Sequence, residues 1–281
     1  MGDPSDHDLN EHGLNEHGLD DLQLTEVLTH GELDIEGRLI DASNLAVVAV
    51  AHLDGASVRC VYKPSAGERP LWDFDTATLS RREVAAYQVS CAAGWNIVPV
   101  TAWRDDGPAG EGMCQVWIDV DEQAGLVDIV PLGAVPEGWK HVIDAEGSTG
   151  RPVTLVHADH QALRNMAAFD AVVNNADRKG GHVLVDLNGQ VFGIDHGVTF
   201  NEEDKLRTVL WGWAGEPLDD SIIEALARLD ESLQSPTSAG LRRLLTRQEI
   251  RITRDRVREI SSQARFPYPG DGWPSLPWPA F

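Results

Sequence analysis

Residues 174–197 read N-N-A-D-R-K-G-G-H-V-L-V-D-L-N-G-Q-V-F-G-I-D-H-G, and this stretch constrains the fold more than any other. Asp177 and Arg178 follow a helical segment, His182 lies five residues past that aspartate, and Asp195 closes a short apolar run. A β-hairpin over the apolar positions brings Asp177, His182 and Asp195 to one end. Two carboxylates and a neutral nitrogen ligand suit phosphoryl transfer from a metal-bound nucleoside triphosphate. That chemistry needs a carboxylate to orient the acceptor hydroxyl and ligands that hold a divalent ion on the phosphates.

The bulk properties leave room for such a site. With 281 residues, 42% of them hydrophobic, the chain can build one large domain or two small lobes around a cleft. A formal net charge of −22 excludes the basic footprint of a nucleic-acid binder, and an anionic membrane surface repels it on average. No run approaches eighteen apolar residues, so no integral membrane contact is expected. The start of the chain lacks a signal-peptide pattern. Cys60, Cys91 and Cys114 are isolated in apolar surroundings and are expected to be reduced core thiols, which points to the cytoplasm.

The order of elements supports a cleft. Residues 1–21 are acidic, repeat L-N-E-H-G, and are predicted to be disordered. Residues 45–52 and 57–63 are β-branched apolar runs on either side of a turn, a hairpin pattern, with a further strand and turn near Gly37 and Ser43. A helix is predicted from Ser80 to about Ala93, closed by Gly94, followed by strands at 97–103 and 113–119. Together these make a strand-rich half over 22–119. The half over 120–265 begins with a loop-rich stretch to 155. Helices are then predicted at 157–174, 218–233, 237–245 and 247–265. Residues 266–281 are too rich in proline for regular structure and are expected to strap a neighbouring surface. The fold class expected is therefore α+β: a mostly antiparallel sheet with one helix, then a mainly helical lobe.

The pattern D-x-x-x-x-N-x-D-R-K-x-x-H, followed by G-I-D-H-G, resembles the catalytic and metal-binding segments of the phosphatidylinositol 3-/4-kinase-like branch of the protein-kinase fold. With Y-K-P-x-x-G-E-R-P-L-W-D-F-D, R-E-V-A-A-Y and Q-V-W-I-D in the same order, residues 30–281 look like an actinobacterial kinase-like family related to that branch. The resemblance implies ATP as phosphoryl donor, Mg²⁺ or Mn²⁺ as cofactor, and a two-lobed kinase-like fold. It implies that Asp177 is the catalytic aspartate and Arg178 its companion, neutralising charge beside it. Asp195 and His182 would bind metal, with His182 standing where the family at large has asparagine. Lys63 would grip the phosphates and pair with Glu83. The backbone of Gln115, Val116, Trp117 and Ile118 would face the adenine. The lid departs from the pattern: it lacks G-x-G-x-x-G, and Gly37 and Ser43 must serve there.

Each assignment has a structural reading beside it. Asp177 and Arg178 could be a surface ion pair, Asp195 a turn residue, His182 a core histidine, and Glu83 the partner of Ser80 in a capping box. Asp170 serves either the site or the local backbone, and Trp72 either the nucleotide or the surface. The function expected is a kinase that phosphorylates a hydroxyl of a protein, itself included, or of a small polyol. A phosphoinositide kinase and a nucleotide-binding regulator with little turnover are the alternatives.

Overall fold

A computed structural model describes residues 18–39, 44–235, 239–272 and 274–281. The fold is α+β with antiparallel sheets and five α-helices among the described residues. The first seventeen residues, Ser43, and part of the 237–245 segment lie outside the described residues.

A five-stranded antiparallel sheet is built from β1 (Glu32–Arg38), β2 (Val47–Leu53), β3 (Ala56–Pro64), β4 (Thr101–Arg104) and β5 (Gly112–Val116), in the order β1-β2-β3-β5-β4. Asp54 and Gly55, at φ 48° and 87°, make the two-residue turn joining β2 to β3, the geometry that matches strand twist. Side chains alternate across β3. Val58, Cys60 and Tyr62 are buried in a cluster with α1 (Asp21–His30), whereas Val61 and Lys63 line a cleft on the other face.

Helix α1 corrects only the end of the expected disordered tail over 1–21: Asp20 and Asp21 are ordered, and residues 1–17 lie outside the described residues. Asp20 accepts from Gln23 N at 2.8 Å, while the Gln23 side chain accepts from Asp20 N at 3.0 Å. This capping box starts a helix at Asp21. Ten residues are too few for a stable isolated helix, so burial of Leu24, Val27 and Leu28 on the sheet supports it.

Helix α2 (Leu79–Ala93) follows β3 and ends at Gly94 in the left-handed conformation. Its start is capped from a distance: Glu68 accepts from Leu79 N, Ser80 N and the Ser80 hydroxyl at 3.0, 2.8 and 2.7 Å. The capping-box reading of Glu83 therefore fails, and its carboxylate is available elsewhere.

The stretch 120–155 is not loop-rich. It holds β6 (Val127–Pro131), β7 (Trp139–Glu146) and β8 (Pro152–Ala158), an antiparallel sheet ordered β6-β8-β7. Much of it is solvent-exposed, so its strands lack the apolar runs that mark buried ones. Because β8 takes His157 and Ala158, α3 (Gln161–Val173) starts later than its periodicity suggests, capped by His160. Helices α3, α4 (Asp220–Gln234) and α5 (Arg247–Gln263) pack with α2 around the larger core cluster. Of the helix expected at 237–245, the described part contains only a 3-10 turn, Leu241–Arg243. Between α3 and α4 lies the short hairpin of β9 (Val183–Val185) and β10 (Val191–Gly193).

The proline-rich end crosses two loops. The Ser275 carbonyl accepts from Thr208 N and Trp211 Nε1 at 3.1 and 2.8 Å, and the Ala280 carbonyl from Gly180 N at 2.8 Å. Gly112, at the start of β5, meets the backbone of β3 closely: a Cβ there would lie 2.4 Å from the Lys63 carbonyl oxygen. Strand pairing leaves no room to move apart, so Gly112→Ala is expected to cost about 1–3 kcal/mol or more in urea unfolding. An unchanged midpoint would contradict this close approach.

Candidate functional site

The cleft beneath the five-stranded sheet has a volume of about 460 Å³, the size of a small-ligand site. Apolar side chains of Leu39, Leu45, Ala46 and Val61 line part of it. Lys63, Glu83, Asp177, Lys179, His182 and Asp195 supply the ionisable groups.

Lys63 is the hub. Its Nζ donates to Glu83 Oε1 at 2.7 Å and to Asp195 Oδ1 at 2.8 Å. Burial works against the ammonium, yet the Asp195 and Glu83 carboxylates outweigh it and hold the lysine pKa well above its ordinary value. Lys63 in turn holds Asp195 far below the usual carboxylate range, against the effect of burial. Burial pushes Glu83 up, with Lys63 opposing. The second oxygen of Glu83 accepts from His196 N at 2.7 Å. One carboxylate on α2 thus anchors both the lysine and the backbone of the Asp195 loop.

Asp195 sits at φ 62°, left-handed backbone that few residues other than glycine adopt. Glu83 fixes the residue after it, and Arg178 fixes the one before it by donating to the Ile194 carbonyl at 3.0 Å.

His182 lies in the 3-10 turn Gly180–His182. Its Nδ1 is 3.0 Å from the Asp177 carbonyl, an acceptor only, so Nδ1 carries the hydrogen. The Nε2 lone pair then faces Asp195 Oδ2 at 3.4 Å. Burial lowers the His182 pKa to about 4, so the ring is neutral at neutral pH. A lone pair and a carboxylate oxygen this close repel unless a cation lies between them. The donor pair therefore fits a divalent ion. Among the described residues no group of three or more His, Cys, Asp or Glu side chains is arranged to hold one, so an ion held by this pair would need further oxygens from a ligand or water.

Asp177 presents its carboxylate to Lys179, whose Nζ is 3.3 Å away. Burial raises its pKa, Lys179 opposes that, and Asp195 adds to the rise. Its N–H donates to Asn175 Oδ1, and Asn175 donates to Asp170, so the aspartate is held from beneath.

Arg178 turns away from the role expected of it and does not line the cleft. Fully buried, it grips the fully buried Asp170 through Nε and one terminal nitrogen, and also donates to His196 Nε2 and the carbonyls of Ile194 and His182. It is a positioning residue beneath the hairpin. Of the 115–118 segment only Gln115 reaches the cleft. Val116 N and Trp117 N are taken by the Val100 and Arg59 carbonyls, because sheet pairing continues through them. Trp72 is exposed beside Lys205 and does not line the cleft. Sequence reasoning missed Lys179, Glu68 and Arg69, all in the cleft wall. Only the immediate proximity of Lys179 to Asp177 and Arg178 could have flagged it.

The buried histidines give the fold a pH dependence. Burial brings His157 and His182 to about 4 from an ordinary 6.5, and holds His196 well below 6.5. The unfolded chain takes up these protons near pH 6.5 and the folded protein does not. The contribution is therefore complete above 6.5 and declines as pH falls below it. A lower urea midpoint is expected at pH 5.5 than at pH 7.5. An equal or higher midpoint would contradict the burial of these rings.

The fold and cleft define a mixed α+β protein with a lysine-centred ionic site. The chain is 47% identical over 264 residues to Protein Rv2133c of Mycobacterium tuberculosis (strain ATCC 25618 / H37Rv), an alignment covering 91% of this chain and 94% of that protein. It belongs to the same family as that protein. No family model matches the sequence. Among the described residues no helix is long and apolar enough to cross a membrane.

Proposed function

We propose that this protein is an ATP-dependent phosphotransferase with a two-lobed kinase-like fold, moving the γ-phosphoryl group to a hydroxyl of a protein or a small polyol. The observation that carries the reading is the Lys63 amine, bound at once to Glu83 of α2 and Asp195 of the hairpin loop. Asp177 and His182 line the same cleft. In this reading Lys63 binds phosphate oxygens, and Glu83 keeps the amine charged and aimed. Asp195 and His182 would hold Mg²⁺ or Mn²⁺, which when bound neutralises charge on the phosphates. Asp177 orients the acceptor hydroxyl and takes its proton. Burial raises its pKa, which makes it a better base than an exposed aspartate. Lys179 steadies that carboxylate. Positioning and fixed charge supply most of the acceleration, as phosphoryl transfer requires.

The test is incubation with γ-labelled ATP and either ion, with protein, polyol and phosphoinositide acceptors in parallel. Label transfer or ATP hydrolysis that chelation abolishes is the expected result. Thermal stabilisation by ATP without turnover supports a regulator in its place. No response to nucleotide in either measurement overturns the reading.

A further inference from the structure

Gln115 reaches the cleft wall with only 5% of its surface exposed. A primary amide has a donor end and an acceptor end, and its neighbours decide which one faces a ligand. Strands β4 and β5 pair Thr101 with Gln115. The Thr101 hydroxyl spends its single hydrogen on the Pro99 carbonyl at 2.7 Å. It can only accept from Gln115, and it accepts from Nε2 at 2.9 Å. The nitrogen is thus held toward β4, and Oε1 is the end turned to the cleft. Among the described residues no donor hydrogen-bonds to Oε1. The neighbouring backbone donors, Val116 N and Trp117 N, are already engaged within the sheet.

We infer that the Gln115 side chain selects the base of the nucleotide, its Oε1 accepting a hydrogen bond from an exocyclic amine such as adenine carries at position 6. Guanine has a carbonyl oxygen there, which would meet Oε1 oxygen to oxygen. Flipping the amide would relieve that contact, but it would set Oε1 against a Thr101 oxygen whose hydrogen is committed to Pro99. Thr101 is therefore a positioning residue that keeps the acceptor end outward. The inference rests on the nucleotide-binding reading above and adds to it the group that distinguishes one purine from another.

The experiment is calorimetric binding of the Mg²⁺ complexes of ATP, GTP and purine riboside triphosphate, which has only hydrogen at position 6. The proteins are wild type, Gln115→Met and Thr101→Val, each checked by thermal melting. Wild type is expected to bind ATP about tenfold tighter than the purine riboside, the weight of one neutral hydrogen bond, and about 100-fold tighter than GTP. Gln115→Met should bind ATP and the purine riboside alike. Thr101→Val frees the amide to turn over, so its ATP-to-GTP ratio should fall at least tenfold. Equal binding of ATP and GTP by wild type, or an ATP preference that survives Gln115→Met, overturns the inference and leaves the phosphotransferase reading standing. Absence of binding to any of the three removes both.

Discussion

Asp177→Asn is expected to lower phosphoryl transfer by about 10³-fold while leaving nucleotide affinity within a few-fold of wild type, whereas Asp195→Asn should abolish transfer and weaken binding together. The difference follows from what each carboxylate touches. Asp177 faces Lys179 and makes no bond to the central lysine, so its loss removes a base and an orienting group, an effect of about 10²–10⁴. Asp195 bonds Lys63 at 2.8 Å and faces the Nε2 of His182 at 3.4 Å. Its neutral amide would leave the lysine with Glu83 alone and the histidine without a partner donor for a cation. The measurements are transfer of γ-label and calorimetric ATP binding, with melting curves to show that both variants fold. Transfer by Asp177→Asn within tenfold of wild type would remove that residue from the mechanism.

Arg178→Met is expected to destabilise the protein by about 3–5 kcal/mol in urea unfolding, because it leaves Asp170 charged, buried and unpaired. The double variant Asp170→Leu with Arg178→Met removes both charges, and such replacements are often neutral. It should regain most of the lost stability. It should not regain phosphotransfer, because Arg178 also donates to the carbonyl of Ile194, the residue before Asp195, and to that of His182, and so positions both groups proposed to hold the ion. A double variant as unstable as the single one would mean that the hydrogen bonds to those carbonyls, rather than the ion pair, hold this region together.

Local signals decided how much of this was readable in advance. The hairpin of β2 and β3 was legible because β-branched runs flank Asp54 and Gly55. Helix α2 was legible through Gly94, and α5 begins where Thr246 and Glu249 form a capping box. The stretch 120–155 was not legible. Its strands leave Asp128, Asp144 and Glu146 in solvent, so little hydrophobic pattern survives. At the site, the spacing of Asp177, His182 and Asp195 implied a common end of a hairpin, and these residues do meet there beside Lys63. The direction of Arg178 was hidden, because its partner Asp170 sits on α3 and only three-dimensional packing brings the two together. In the 116–118 segment the sequence could not show that Val116 N and Trp117 N are already paired across the sheet, because an apolar run does not reveal where its backbone groups go.

Glu83 serves two clients with one carboxylate, and this makes the site respond as a single unit. A shift of α2 by the length of one hydrogen bond would release the amine of Lys63 and the turn after Asp195 in the same motion. Each then keeps one other hold, Lys63 on Asp195 and Arg178 on the Ile194 carbonyl before the turn. The far end of α2 is tied to α4, where Arg228 donates to the Ala93 carbonyl at 3.0 Å. Loosening that seam would therefore reach both partners of Glu83 from outside the cleft.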